Sequence, residues 1–182
     1  MTDFVEYRPR SESSVRFRSD PQVAIRRAAP GDTRGPAVVR SVRGGSVDEH
    51  LEASQRLIER LPVILVAESD GELVGWCGAQ RSSIEPDAEP EWLIAGITVV
   101  PELRRSGIAA LLLGGVMGAV RSDEPGTAIF SVINARNLAS IALHGGLGFS
   151  EIARRAEIAR IEFAGGEGVL LRSRPDGSAA RD

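Results

Sequence analysis

The apolar positions of this 182-residue chain fall into short blocks whose period changes along the sequence. Residues 23–27 alternate as a half-buried strand does, and Pro30-Gly31-Asp32 stops them; a helix can begin at Thr33. Gly44-Gly45 is a break. Ser46 with Glu49 three residues on forms a capping box, and Leu51, Leu57, Ile58 and Leu61 give one apolar face to a helix that runs to about Arg60. Residues 62–68 read as a buried strand, Ser69-Asp70-Gly71-Glu72 as a hairpin turn of the Asp-Gly type, and 73–80 as the returning strand. A two-proline loop at 82–90 leads to a strand at 91–99. The helix after Gly107 ends between Arg121 and Gly126. A strand at 127–132, a helix at 137–146 and a strand at 149–152 follow. Residues 155–163 and 168–172 read as a final antiparallel pair around Gly165-Gly166. This is a mixed α/β or α+β pattern, with no regular βαβ repeat.

Composition narrows the chemistry. A charged fraction of 26% beside 42% hydrophobic residues is ordinary for a globular protein of one domain. No apolar run reaches the ~18 residues of a membrane span, and the first residues lack the apolar core of a signal peptide. The expectation is therefore a cytoplasmic protein. Cys77 is the single cysteine, which excludes an internal disulfide and a multi-cysteine zinc site; its apolar strand context points to an inert buried thiol. Net charge is −3 without a dominant basic cluster, which argues against nucleic acid as a partner. All basic residues except the two histidines are arginine. A Walker-type phosphate loop and Schiff-base catalysis both need a lysine, so both are excluded.

The junction after residues 91–99 carries the most chemistry. The β-branched run Ile97-Thr98-Val99-Val100 stops at Pro101, Arg104-Arg105-Ser106-Gly107 makes a turn, and an apolar helix starts at Ile108-Ala109. The first amides of a helix lack intrahelical partners and lie at the positive end of its dipole, so this turn suits a phosphate. Arg104 and Arg105 add full charge.

This order of elements, with Arg104-Arg105-Ser106-Gly107-Ile108-Ala109 after the fourth strand, resembles the GNAT acetyltransferases. Their signature there is Arg/Gln-x-x-Gly-x-Gly/Ala. A second match is Asn137 opening a helix that closes on Gly145-Gly146-Leu147-Gly148-Phe149; Ile25-Arg26-Arg27-Ala28 with Gly31-Asp32 is a weaker echo. The resemblance covers residues 23–172. It implies a GNAT fold, a central mostly antiparallel sheet with splayed fourth and fifth strands flanked by helices. Residues 1–22 are then a flexible arm, or a strand clamped on a partner subunit, and 173–182 a tail.

The resemblance implies acetyl-CoA as acetyl donor and no metal. The amides of Arg104, Arg105, Ser106, Gly107, Ile108 and Ala109 would hold its pyrophosphate. Ile97, Thr98 and Val99 would pair with its pantetheine arm, and an amide near Val99 would meet the oxyanion. Asn137 would bind the pantetheine or cap its helix. The thiolate's proton comes from a tyrosine in many members; here that position is His144. The run Asn-x-x-Ser-Ile-x-Leu-His is similar to the phosphinothricin-type acetyltransferases. The alternative for His144 is packing at the helix end.

A protonated amine cannot attack, so a base is expected. Glu85, Asp87, Glu89 and Glu91 cluster before Trp92; Glu91 or Glu89 is the candidate, and a solvated acidic loop the alternative. Trp76 and Trp92 are core residues or acceptor-pocket walls, and His50 a surface or pocket histidine. The implied reaction is N-acetylation of a primary amine of a small molecule or amino acid. Acetylation of a protein N-terminus or lysine and a non-catalytic acyl-CoA-binding module are the alternatives, and a homodimer stays open.

Overall fold

The computed structural model describes residues 23–41, 44–163 and 165–174. The arm expected at 1–22 and residues 175–182 of the expected tail lie outside the described residues. In chain order the elements are β1 (Val23–Arg27), a 3-10 turn (Pro30–Thr33), α1 (Arg34–Ser41), α2 (Val47–Arg60), β2 (Val63–Ser69), β3 (Glu72–Ser82) and β4 (Glu91–Val99). A second 3-10 turn (Pro101–Leu103), α3 (Ile108–Asp123), β5 (Ile129–Asn134), α4 (Leu138–Gly146) and β6 (Phe149–Arg155) follow. The short strands β7 (Glu157–Ile158) and β8 (Ile161–Glu162) precede β9 (Gly168–Ser173). The main sheet has the order β1-β2-β3-β4-β5-β9-β6. It is mostly antiparallel, with a parallel pair at β4–β5, and helices flank it.

Local signals account for several elements. Ser46 Oγ accepts from Glu49 N–H at 3.3 Å while Glu49 Oε2 accepts from Ser46 N–H at 2.6 Å, so the capping box starts α2 as its sequence predicts. Asp70 (φ 53°) and Gly71 (φ 80°) both take left-handed backbone between β2 and β3, the geometry that matches the strands' twist. Asp32 closes the turn after β1, accepting from Ala29 N–H at 2.7 Å and pairing with Arg26.

The chain divides into two compact units. One contains described residues 23–78 and 96–116, the other 79–95 and 117–174. The boundaries run through β3, β4 and α3 rather than through loops. In the first unit β1 pairs antiparallel with β2, from Val23↔Ser69 to Arg27↔Leu65. Its core joins Val39, Ile64, Val66 and Trp76, with Leu57, Ile58 and Leu61 of α2 and its C-cap packed on them. Gly96 lets β4 pass against the ring of Trp76; a Cβ there would lie 2.8 Å from the ring edge.

In the second unit β5 is buried along its whole length and pairs with β9, which also pairs with β6 through a bulge between Glu151 and Ala153. Ser173 Oγ accepts from Ile129 N–H at 2.9 Å and is 1% exposed, so β9 reaches one residue into the stretch read as tail. Leu93, Phe130, Val132, Ile158, Phe163 and Leu170 form its core.

The final pair differs from the sequence expectation. The partner of β9 is β6, and residues 157–162 fold on themselves as the small hairpin β7–β8. Ala159 (φ 52°) and Arg160 (φ 61°) turn that hairpin in left-handed backbone, while Gly165 and Gly166 connect it to β9. Ile158 and Phe163 anchor it in the core.

Candidate functional site

In the first unit, β4 ends where Val100 N–H donates to Val74 O of β3 at 2.9 Å. Successive amides of a strand point to opposite edges, so the Val99 amide faces away from β3. In the second unit, the register of β4 with β5 covers Trp92↔Ile129 and Leu93↔Phe130. Ile97 is half-buried, and Thr98 and Val99 are buried.

Leu103 and Arg104 N–H return to Val100 O and Pro101 O. Arg105 then takes φ 66° and Gly107 φ 85°. The first helical bond of α3 is Ala110 N–H to Gly107 O at 2.9 Å, so the amides of Gly107, Ile108 and Ala109 precede the intrahelical ladder. A Cβ on Gly107 would meet nothing within 4 Å, which leaves open space beside these donors. The sixteen residues of α3 supply the dipole. Ser106 Oγ donates to Leu103 O at 2.6 Å and stiffens the turn. Arg104 bends back so that Nε donates to Val99 O at 3.4 Å, whereas the Arg105 side chain is exposed. The turn thus fits a pyrophosphate group: unsatisfied amides, a left-handed glycine with free space at its side, and an exposed guanidinium.

In the second unit, Asn137 caps α4, its Oδ1 accepting from Ser140 N–H at 3.1 Å. His144 lies one helical turn beyond Ser140 and is 1% exposed. Its Nδ1 sits 2.8 Å from Ser140 O, and its ring meets Phe149 edge-on at 5.0 Å. A carbonyl can only accept, so Nδ1 carries the hydrogen and Nε2 of the neutral ring is a bare lone pair. Nε2 is buried without a protein partner. Burial pushes the pKa down, partly opposed by the Ser140 bond, so the ring favours its neutral form. A neutral His144 can take a proton at Nε2; to donate one it must first be charged.

The acidic loop divides. Glu85 is committed to Arg155, and Ala159 N–H donates to Ile84 O. Glu89 is exposed and Glu91 half-buried, and neither makes an ion pair with a described residue. Glu91 shares its face of β4 with Leu93 of the core.

Trp76 and Trp92 are 4% and 5% exposed, which makes both core residues. Cys77 is buried and its thiol pushed far above the ordinary value by desolvation, so it is no thiolate at neutral pH. His50 Nε2 lies 2.7 Å from Gly44 O, tying the start of α2 to the preceding break. Among the described residues no helix is long and apolar enough to cross a membrane, and no group of three metal-ligating side chains occurs.

Sequence reasoning missed Arg81. Its guanidinium stacks on Trp92, bonds Pro90 O and pairs with Glu124. The residues lie 43 positions apart, and no local pattern joins them.

Residues 39–149 match the acetyltransferase (GNAT) family. A curated relative, an N-alpha-acetyltransferase of Sulfurisphaera tokodaii, is 28% identical over 127 residues, 66% of this chain and 74% of that protein. Among solved structures, yncA of Salmonella typhimurium, determined with its cofactor acetyl-CoA, is 21% identical with a TM-score of 0.65, covering 88% of this chain and 98% of that one. A phosphinothricin acetyltransferase of Sinorhizobium meliloti in complex with acetyl-CoA is 22% identical with a TM-score of 0.62, covering 87% and 92%. The strand-four turn, the capped helix with His144 and the match over most of the central chain agree: this chain belongs to the GNAT family and is an acetyl-CoA-dependent acetyltransferase.

Proposed function

We propose that the acceptor is a primary amine of a small molecule or amino acid, which attacks the acetyl thioester directly. The observation that carries this reading is the set of three carboxylates without an ion pair to a described residue, Asp87, Glu89 and Glu91, in a loop whose fourth acidic residue, Glu85, is paired with Arg155. A negative rim draws a cationic amine, which must lose a proton before it attacks. Glu91, half-buried at the start of β4, and the exposed Glu89 belong to this rim; Glu91 stands eight strand residues, about 26 Å, from the Val99 amide, so the proton leaves through solvent and not directly to Glu91.

The Arg104–Ala109 turn holds the pyrophosphate, the edge of β4 at Ile97, Thr98 and Val99 holds the pantetheine arm, and the Val99 amide, turned away from β3, meets the oxyanion. Asn137 keeps its Nδ2 for the pantetheine while Oδ1 caps α4. His144 supplies the leaving thiolate's proton. Because burial holds the ring's pKa below the ordinary histidine value, this step predicts turnover that rises as pH falls below the ordinary histidine range. His144→Gln abolishes that rise, with little change in the KM for acetyl-CoA; an unaltered pH profile removes His144 from the reaction.

A second reading has its own observation. The curated relative acts, by its name, as an N-alpha-acetyltransferase, and a protein N-terminus carries the same α-amine as an amino acid. An α-amine of pKa about 8 is also easier to deprotonate than a lysine of about 10.4. Thiol release from acetyl-CoA, followed with amino acids, small amines, aminoglycosides and short peptides, separates them. Release with free amino acids or small amines supports the first reading. Release with peptides alone replaces it by the second.

A further inference from the structure

The inner face of α1 carries a charge that no described residue neutralises. The buried residues of this helix are Pro36, Ala37 and Val39, and at the helical period position 40 falls between 36 and 37, inside that arc. Arg40 is half-buried accordingly. Its Nε is buried and bonds to nothing, and no carboxylate of a described residue pairs with it. Burial pulls its pKa down with no opposing charge, whereas Arg26 and Arg154, which hold carboxylates, move up. Two more donors of the same layer are orphaned. Ser54 of α2 is 0% exposed and its Oγ has no partner; Nε1 of the buried Trp76 on β3 has none either. Helix α1 packs against α2, and Val39, Leu57, Ile58 and Trp76 join in one cluster beneath them. Ser54 lies one turn before Leu57 and Ile58, on the same face of α2. Buried polar groups are nearly always bonded, so three orphaned donors around one cluster point to a ligand group that accepts.

We propose that Arg40 binds a carboxylate of the acceptor, which makes the substrates free amino acids and not amines in general. This rests on the reading of the acceptor as a small amine or amino acid and narrows it. The donor set fits: a guanidinium, a hydroxyl and an indole N–H all donate, and a carboxylate offers two anionic oxygens to receive them. The place fits as well. Within the same unit the ring of Trp76 lies against Gly96 of β4, and Val100 packs on the cluster that contains Val39. The strand between these two points carries the Val99 amide assigned to the oxyanion. Gly75 precedes Trp76 and so faces the other side of the sheet. That side is filled: a Cβ on Gly75 would lie 3.0 Å from Leu112 of α3 and 3.2 Å from the Val99 side chain. An acceptor therefore reaches this end of β4 from the side that holds α1 and Trp76. A peptide carries an amide where a free amino acid carries its carboxylate, so Arg40 also discriminates between the two kinds of α-amine.

The test compares free amino acids with the matching amino acid amides. Thiol release from acetyl-CoA is followed for the wild type, Arg40→Met and Arg40→Lys, beside the KM for acetyl-CoA and the melting temperature. The wild type should use the acids at least about tenfold better than the amides in kcat/KM. Arg40→Met keeps most of the length and loses the charge. It should lose about tenfold with the acids, mainly in the acceptor KM, and less than about twofold with the amides. Its KM for acetyl-CoA stays the same, and its melting temperature holds or rises, because an unpaired, partly buried charge has been removed. Arg40→Lys recovers part of the activity with the acids. Melting of the CoA-bound protein with added amino acids reads the same site without turnover: the wild type is stabilised and Arg40→Met is not. Acids and amides used alike, or lost alike in Arg40→Met, overturn the proposal and leave the small-amine acceptor standing. Release with peptides alone removes the small-amine reading, and the carboxylate site with it. Neither thiol release nor a melting shift with any amino acid overturns the proposal. So does a melting temperature that collapses in both Arg40→Met and Arg40→Lys, since Arg40 is then a structural residue.

Discussion

Arg105 and Gly107 share a backbone sign at different cost. Glycine adopts φ 85° freely, whereas arginine at φ 66° bears roughly 1–2 kcal/mol of strain. Gly107→Val should weaken acetyl-CoA binding at least about tenfold, measured by calorimetry, because a β-branched residue cannot hold that φ. Arg105→Gly should raise the melting temperature and still weaken binding at low salt, since strain and a positive charge leave together; tighter binding would show that the exposed guanidinium has no part in holding phosphate. The residue types from 104 to 109 announced this turn in the sequence, through a glycine and small residues after a β-branched run. The left-handed Arg105 was not legible, because nothing in an arginine side chain favours it. His144 was legible as a position and not as an environment. Its burial, its Nδ1 bond to Ser140 O and the bare Nε2 come from packing that no local spacing encodes.

The elements divide along the same line. The Ser46–Glu49 box, the Asp70-Gly71 turn and the Asn137 cap are local chemistry, and each forms where the sequence places it. The β7–β8 hairpin escaped because Ala159 and Arg160 are poor turn formers, while Gly165-Gly166 nearby is a strong turn signal. The tertiary anchors Ile158 and Phe163 overrule local preference. Ala159→Asn with Arg160→Gly should therefore stabilise the protein by about 1 kcal/mol, read as a higher midpoint in urea, since that pair suits two left-handed positions. No gain would mean that the packed strands, and not the turn, set this hairpin's geometry. Within the same unit, Gly168→Ala should lower the midpoint, because the added Cβ would press into the ring of Phe163.

At the scale of the molecule, the buried neutral His144 couples folding to pH. The unfolded ring titrates near 6.5 and the folded ring lower. Between those values the unfolded chain binds more protons. The contribution is complete above about pH 6.5 and is lost as pH falls through the folded value, by at most roughly 1.4 kcal/mol per pH unit. Denaturation midpoints from pH 7 down to 5 should fall more steeply for the wild type than for His144→Leu; parallel curves would place the ring in water.

The sheet's sequence of elements could be written from the chain, but the neighbours of β9 could not. That strand lies between β5 and β6, and among the described residues β6 has no other partner in the main sheet. A ribosome delivers β6 well before β9, so the emerging chain carries an unfilled slot one strand wide, each side lined with backbone groups awaiting a partner. A protein truncated before Gly168 should elute as aggregates in size-exclusion chromatography instead of as a smaller soluble enzyme. Strand β9, synthesised after β6, is the keystone of its half of the sheet, and chaperone dependence during synthesis should persist until it has been inserted.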